Sequence, residues 1–71
     1  MSGTTVVKAK GRVVEVLPRT LYRVEMVNGH RVLGHLSRTM RVNLVRIDPG
    51  DQVMIEMSPF DFSKGRIVSK E

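Results

Sequence analysis

The chain has 71 residues, no cysteine, and 12 Lys and Arg against 7 Asp and Glu, which gives a formal net charge of +5. A chain this short forms one domain with a small core, and neither a disulfide nor a thiolate metal site can stabilise it. No apolar run approaches the roughly 20 residues of a membrane-spanning helix, and the N-terminus lacks the pattern of a secretory signal. We therefore expect a cytoplasmic monomer with no membrane partner.

The predicted elements begin after a small polar segment, residues 1–5, which we expect to be a flexible tail. From Val6 onward apolar and polar residues alternate, and the pair Val13-Val14 shifts this alternation by one residue. Val14 and Val16 then become the apolar, inward positions. Such a shift predicts a β-bulge and a bent first strand, which a small barrel needs.

A β-hairpin is predicted after a turn at residues 17–20. The turn between its strands carries Asn28-Gly29, which is the strongest short hairpin signal. Alternation assigns its inward side chains to Tyr22, Val24, Met26, Val32, Gly34 and Leu36. Its outward side chains are then Leu21, Arg23, Glu25, Arg31, Leu33 and His35.

A short helix is predicted at residues 38–41, with Ser37 as its N-cap and Met40 closing one end of the barrel. A turn follows at residues 48–51, and a fourth strand carries inward Val53, Ile55 and Met57. We expect a longer loop at residues 58–65, a short fifth strand at residues 66–69, and a tail at residues 70–71.

Five strands with a bent first strand indicate an all-β OB-fold barrel over residues 6–69, with the helical segment between strands three and four. This fold binds oligonucleotides on strands two and three and on the loops that join strands one to two and four to five. The basic residues fall on these elements, and the main ones are Arg19, Arg23, Arg31, His35, Lys64 and Arg66.

The segment at residues 34–47 contains Arg38, Arg41 and Arg46 and no acidic residue. Arginine matches phosphate with a planar fork, so this segment favours a nucleic-acid partner. Few aromatic side chains are available to stack on bases, because the chain has only Tyr22, Phe60 and Phe62. Tyr22 points inward, Phe62 is expected to pack under its own loop, and Phe60 either packs there or stacks. This scarcity predicts folded RNA as the partner rather than a coated single strand.

Catalysis, a metal site and a cofactor are not expected. His30 and His35 are five residues apart and face opposite sides of a strand, and no carboxylate or cysteine completes a metal site. No inward carboxylate orients His35 beside Ser37 as a triad would require. The glycines are isolated rather than clustered in a phosphate-binding loop.

The sequence resembles bacterial translation initiation factor one over nearly its whole length apart from both tails. The matching stretches are L-P-R-T-L-Y-R-V-E, N-G-H-R-V, G-H-L-S-R-T-M-R-V-N-L-V-R-I, G-D-Q-V and S-P-F-D-F-S-K-G-R-I-V. The resemblance implies a non-catalytic OB-fold protein that binds the small ribosomal subunit at its decoding A site, between ribosomal RNA helices and beside a ribosomal protein. It also implies that the protein blocks premature tRNA entry and assists the other initiation factors.

The resemblance assigns RNA contacts to Arg41, Asn43, Arg46, Lys64, Arg66, His30 and His35, and the charge pattern adds Arg38 and Arg23. The chain departs from the family where Thr39 and Val42 stand at positions that often carry Lys, and where Leu44 replaces an aromatic residue. Its tail ends S-K-E, whereas the tail of family members is often rich in arginine. With fewer cations, we expect a divergent member or a second copy with the same site, whose salt-dependent binding is weaker.

Two other functions fit the same composition. One is a general RNA chaperone of the cold-shock type, which would bind any single strand comparably but needs exposed aromatic residues. The other is a protein-interaction module with an acidic partner, although Leu33 and Met54 are its only outward apolar anchors.

Overall fold

The computed structural model describes residues 6–71, and the predicted N-terminal tail lies outside them. Five strands and one short helix make up this part of the chain. Their bounds are β1 Val7–Leu17, β2 Leu21–Met26, β3 Arg31–Leu36, α1 Arg38–Val42, β4 Gln52–Ser58 and β5 Asp61–Lys70.

The strands form a closed barrel in the order β1-β2-β3-β5-β4. All neighbouring strands are antiparallel except β3 and β5, which are parallel and close the barrel. The predicted five-stranded OB-fold barrel, with a helix between the third and fourth strands, is therefore confirmed. No helix within residues 6–71 is long and apolar enough to cross a membrane.

The predicted bulge in β1 is confirmed, because the register with β2 shifts between Val13 and Glu15. The prediction that Val14 and Val16 turn inward is wrong, since they are 36% and 46% exposed. The ladder between β1 and β4 ends at Arg12. Backbone bonds from Val13 to Gly50 and Asp51 continue this contact by one residue, and after them Glu15, Val16 and Leu17 have register partners in β2 alone.

The core is aliphatic and follows the predicted inward positions. Six side chains are almost completely buried, and they are Val13, Val24, Val32, Val53, Ile55 and Ile67. Met40 from α1 and Ile47 from the segment after it are also buried and close one end of the barrel. The alternation of period two therefore places one continuous core inside the barrel.

The β4–β5 connection differs from the prediction. The expected loop at residues 58–65 is wrong, since β4 ends at Ser58 and β5 begins at Asp61. The fifth strand is therefore much longer than residues 66–69, and it continues to Lys70, which the sequence had assigned to the tail. Phe62 and Ser63 nevertheless pair with neither neighbouring strand, because the ladder with β3 begins at Lys64 and the ladder with β4 passes from Asp61 to Arg66.

Two glycines allow the barrel to close tightly. Gly34 in β3 lies opposite Gly65 in β5. A Cβ atom at Gly65 would lie 2.8 Å from Ile55 side-chain carbons and 3.0 Å from the carbonyl oxygen of Glu56. At Gly34 the three atoms nearest to such a Cβ are all side-chain carbons, at 3.2 Å in Ile67 and 3.3 Å in Ile55. The space that side chains would take at these positions is filled by the two isoleucines.

The substitution Gly65→Ala is expected to lower the free energy of unfolding by about 1–3 kcal/mol, because the added methyl overpacks the core against a backbone oxygen. Gly34→Ala is the matched control and should lose less, since flexible side-chain ends can move away. Urea denaturation followed by circular dichroism measures both. Equal stability of Gly65→Ala and the parent would contradict this account of the barrel closure.

Candidate nucleic-acid interface

The helix α1 projects two arginines from the closed end of the barrel. Ser37 is its N-cap as predicted, and its hydroxyl oxygen accepts a hydrogen bond from the Met40 backbone N–H at 3.3 Å. The Met40 side chain is buried and fixes the helix to the barrel. Arg38 and Arg41 are exposed, and neither makes an ion pair with any residue in the described range 6–71.

The segment after α1 is held by backbone hydrogen bonds. The Asn43 N–H donates to the Thr39 carbonyl at 3.0 Å and the Leu44 N–H donates to the Arg41 carbonyl at 3.1 Å. Leu44 has a positive φ of 54° and is 87% exposed. Backbone bonds thus fix the Asn43 position while leaving its side-chain amide in solvent, where it can donate and accept.

Arg46 is exposed, but an acidic side chain partly compensates its charge. Its Nε donates to the Asp48 carboxylate at 3.2 Å, and its carbonyl oxygen accepts from the Lys70 ammonium at 2.9 Å. The acidic partner lies just outside the segment at residues 34–47. Of the three arginines in this segment, Arg38 and Arg41 therefore supply more free positive charge than Arg46.

The second group of predicted residues lies on the outward face of three adjacent strands. In the β3–β5 ladder His35 is opposite Arg66 and Leu33 is opposite Lys64, and Arg23 of β2 is also opposite Leu33. Adjacent strands are about 4.8 Å apart. The structure therefore brings Arg23, His35, Lys64 and Arg66 together across the sheet.

These side chains differ in charge compensation. Arg23 lies 3.5 Å from Glu15 and Arg66 lies 2.9 Å from Glu56, both at carboxylate oxygens. Five cations make no ion pair within the described part of the chain, and they are Arg12, Arg19, Arg38, Arg41 and Lys64. Three of these five are predicted interface residues, so part of the net positive charge is concentrated there.

His30 lies apart from this group. It directly precedes β3, five residues before His35, and at the strand rise per residue this places their backbones about 16 Å apart. Its Nε2 is 2.8 Å from the Phe62 carbonyl oxygen. Of the two predicted histidines, His35 therefore lies with this group and His30 does not.

Phe60 adjoins the candidate interface, although the sequence left its role open. It lies at the tip of the β4–β5 turn and is 95% exposed, so the alternative in which it packs under its own loop is wrong. Phe62 is half-exposed and Tyr22 is buried. An open hollow of about 670 Å³ is bordered by Phe60, His35, Lys64 and Arg66, among others. The short turn S-P-F-D was the signal that could have placed Phe60 at an exposed tip.

Carboxylates near the interface are held ionised. The Arg66 guanidinium, with a smaller contribution from Lys8, holds the pKa of Glu56 below its ordinary value of 4.5. The Ser63 hydroxyl and backbone N–H likewise lower the pKa of Asp61. Residues 6–71 contain no group of three or more His, Cys, Asp or Glu side chains that could hold a metal ion.

A family model and a solved structure place the chain in one family. Residues 4–71 match the family described as Translation initiation factor 1A / IF-1. The solution structure of translation initiation factor one from the Wolbachia endosymbiont strain TRS of Brugia malayi is similar, with 36% identity and a TM-score of 0.79. That match covers 94% of this chain and 79% of that chain.

A second similar structure is the crystal structure of YjeQ from Thermotoga maritima, with 26% identity and a TM-score of 0.73. The match covers 92% of this chain but only 23% of that chain. This likeness therefore concerns one part of a longer protein.

Replacing Glu56 by Gln is expected to reduce the pH dependence of stability in acid. The lowered pKa means that the ionised Glu56 stabilises the folded state fully above its ordinary pKa of 4.5, and that this contribution is lost as the pH falls through the lowered value. Urea unfolding between about pH 5 and pH 3 should therefore show a shallower decline for Glu56→Gln than for the parent. Parallel declines would contradict the assigned ion pairs.

Proposed function

Because the chain belongs to the translation initiation factor 1A / IF-1 family, we propose that it binds the small ribosomal subunit at its decoding A site through ribosomal RNA. Bound there in the cytoplasm, it blocks premature entry of tRNA and assists the other initiation factors. A ribosomal protein borders the same site. The observation that carries the proposal is the pair of uncompensated arginines, Arg38 and Arg41, on a helix fixed to the barrel end.

The helix end supplies the main phosphate contacts in this proposal. Arg38 and Arg41 can form charge-assisted, bidentate bonds with phosphate oxygens and release the counterions bound there. Both guanidinium groups are available without breaking an ion pair. Asn43, which follows on the same segment, can read a base edge through its amide, and Arg46 contributes at the cost of its bond to Asp48.

The outward sheet face supplies a second set of contacts. Lys64 has no ion pair within the described residues 6–71, and it adjoins the hollow that Phe60, His35 and Arg66 border. A phosphate near Lys64 and an unstacked base near Phe60 suit the chemistry of these side chains. Arg23, which is paired with Glu15 on the neighbouring part of the sheet, extends the positive surface.

A general RNA chaperone of the cold-shock type is the second candidate, and the exposure of Phe60 favours it. Such proteins use several aromatic platforms, each contributing about 1–3 kcal/mol per base. Here Tyr22 is buried and Phe62 is half-exposed, so Phe60 is the one fully exposed ring among the described residues. One ring gives little affinity for an arbitrary single strand.

Fluorescence anisotropy of the labelled protein with purified small ribosomal subunits tests the proposal, with excess unstructured RNA as competitor. We expect saturable binding that survives the competitor and weakens steeply with salt. Arg41→Ala should weaken this binding by roughly tenfold and lower the salt slope by about one phosphate contact, because a charge-assisted hydrogen bond is lost.

Lys10→Ala is the matched control for charge. Lys10 pairs with Glu71 at 3.3 Å and lies near the β2–β3 turn, away from α1. Its loss should leave affinity almost unchanged. Binding that the competitor removes would support the chaperone instead, and equal effects of the two variants would mean that only net charge matters.

Val42→Lys is expected to tighten binding to small subunits and to steepen the salt dependence by roughly 0.7 to 0.9 in the log–log slope. Val42 is 72% exposed at the end of α1, so the lysine adds a cation at the interface without disturbing the core. Val27→Lys, at a turn position that is 94% exposed, is the control with the same added charge. A similar gain in both variants would count against a localised interface.

A further inference from the structure

Two residues of β5, Phe62 and Ser63, have no register partner in either neighbouring strand. Ser58 pairs with Asp61 and Glu56 pairs with Arg66, so the β4 ladder passes over the four residues between Asp61 and Arg66. Lys64 and Gly65 pair with β3 instead, but Phe62 and Ser63 pair with neither strand. Phe62 and Ser63 lie between Phe60 and Lys64 in the chain. Phe60 and Lys64 both adjoin the hollow in the candidate interface.

Three hydrogen bonds that involve side chains hold the Phe62–Ser63 segment. The Asp61 carboxylate accepts the Ser63 backbone N–H at 2.9 Å and also accepts the Ser63 hydroxyl. Both of these bonds lie within the same short segment, so they fix its local shape but not its position on the barrel. The bond from His30 Nε2 to the Phe62 carbonyl oxygen, at 2.8 Å, joins the segment to the β2–β3 hairpin.

His30 is itself well anchored. Its backbone N–H donates to the Asn28 side-chain oxygen at 3.0 Å, and its carbonyl oxygen accepts from the Met26 N–H at 2.7 Å. Gly29 supplies the positive φ of 86° that the tight turn requires. The imidazole therefore extends from a rigid hairpin end.

The hydrogen bond to the Phe62 carbonyl also determines which nitrogen of the His30 imidazole must carry a proton. A carbonyl oxygen can only accept, so Nε2 carries the proton and donates it. This holds for the neutral ring, in which Nδ1 is then the acceptor, and for the charged ring. The bond consumes the Nε2–H donor that a direct contact with RNA would otherwise use.

We propose that His30 is a positioning residue that holds the unpaired Phe62–Ser63 segment in place, so that Lys64 and Phe60 face the RNA, rather than an RNA contact. The proposal rests on the proposed function for its partner. The separation of about 16 Å between the backbones of His30 and His35 agrees with it, because His35 borders the hollow and His30 does not.

Two conservative substitutions separate positioning from contact. The side-chain amide nitrogen of Gln can reach the place of Nε2, whereas the shorter Asn reaches only the place of Nδ1. His30→Gln should therefore keep the bond to the Phe62 carbonyl oxygen, and His30→Asn should lose it. Amide hydrogen exchange by nuclear magnetic resonance measures the segment in the free protein, and the anisotropy assay with small subunits measures binding.

For His30→Asn we expect faster exchange of the Ser63 and Lys64 amides and unchanged exchange of core amides such as Val24. Binding to small subunits should weaken about three- to tenfold, because one hydrogen bond is lost. His30→Gln should stay within about twofold of the parent in each measurement. Rescue by Gln together with loss in Asn would establish positioning.

Three outcomes would overturn the proposal. Equal weakening of binding by both variants, with the segment unchanged in the free protein, would show that His30 contacts RNA directly. Faster exchange without weaker binding would show that the segment does not matter for RNA. If Arg41→Ala also binds like the parent in the same assay, the RNA interface itself is wrong and the positioning role falls with it.

Discussion

The parallel pairing of β3 with β5 closes the barrel, and the other features of the molecule depend on that closure. Gly34 and Gly65 face one another in this ladder, and the missing side chains leave room for Ile55 and Ile67. A chain of this length has little apolar area to bury, so its core must be filled without voids. Closure also pairs β3 with β5, whose free edges would otherwise be open to aggregation.

Closure also determines where the interface can lie. Since the ladder aligns His35 with Arg66, residues that are 31 positions apart in the sequence share one outward face. β3 then runs directly into α1, whose buried Met40 covers the barrel end and leaves Arg38 and Arg41 outside. The scaffold thus presents the cations on rigid elements, which lowers the entropy lost when a partner binds.

Some of the exposed cations have an acidic partner and others have none, and the two groups are unevenly distributed over the surface. Near the β2–β3 turn Lys10 and Arg31 have acidic partners, whereas the helix end has Arg38 and Arg41 without any in the described range 6–71. Exposed ion pairs add little stability, so their main effect is on where positive potential remains. Within residues 6–71, two arginines without an ion pair at the helix end stand against Arg12 alone near the β2–β3 turn, so more positive potential remains at the helix end.

The short segment Phe62–Ser63 shows that the residues that order the binding surface differ from those that stabilise the barrel. It lacks ladder partners and contributes almost nothing to the core, yet it leads directly to Lys64. Strand pairing elsewhere in the barrel supplies stability, and this segment depends on side-chain bonds such as that from His30. Local order at a binding surface can thus be set independently of global stability.

The sequence by itself determined the strand alternation, the bulge near Val13, the N-cap at Ser37 and the arginine-rich segment, because each depends on neighbouring residues and on backbone geometry. Its motifs also indicated the family. Only the tertiary structure decided that Val14 and Val16 stay exposed, that β5 begins at Asp61, and that His30 is separated from His35 and bonded to Phe62. These features depend on contacts between residues far apart in the chain, where a local pattern carries no information about which strand lies alongside.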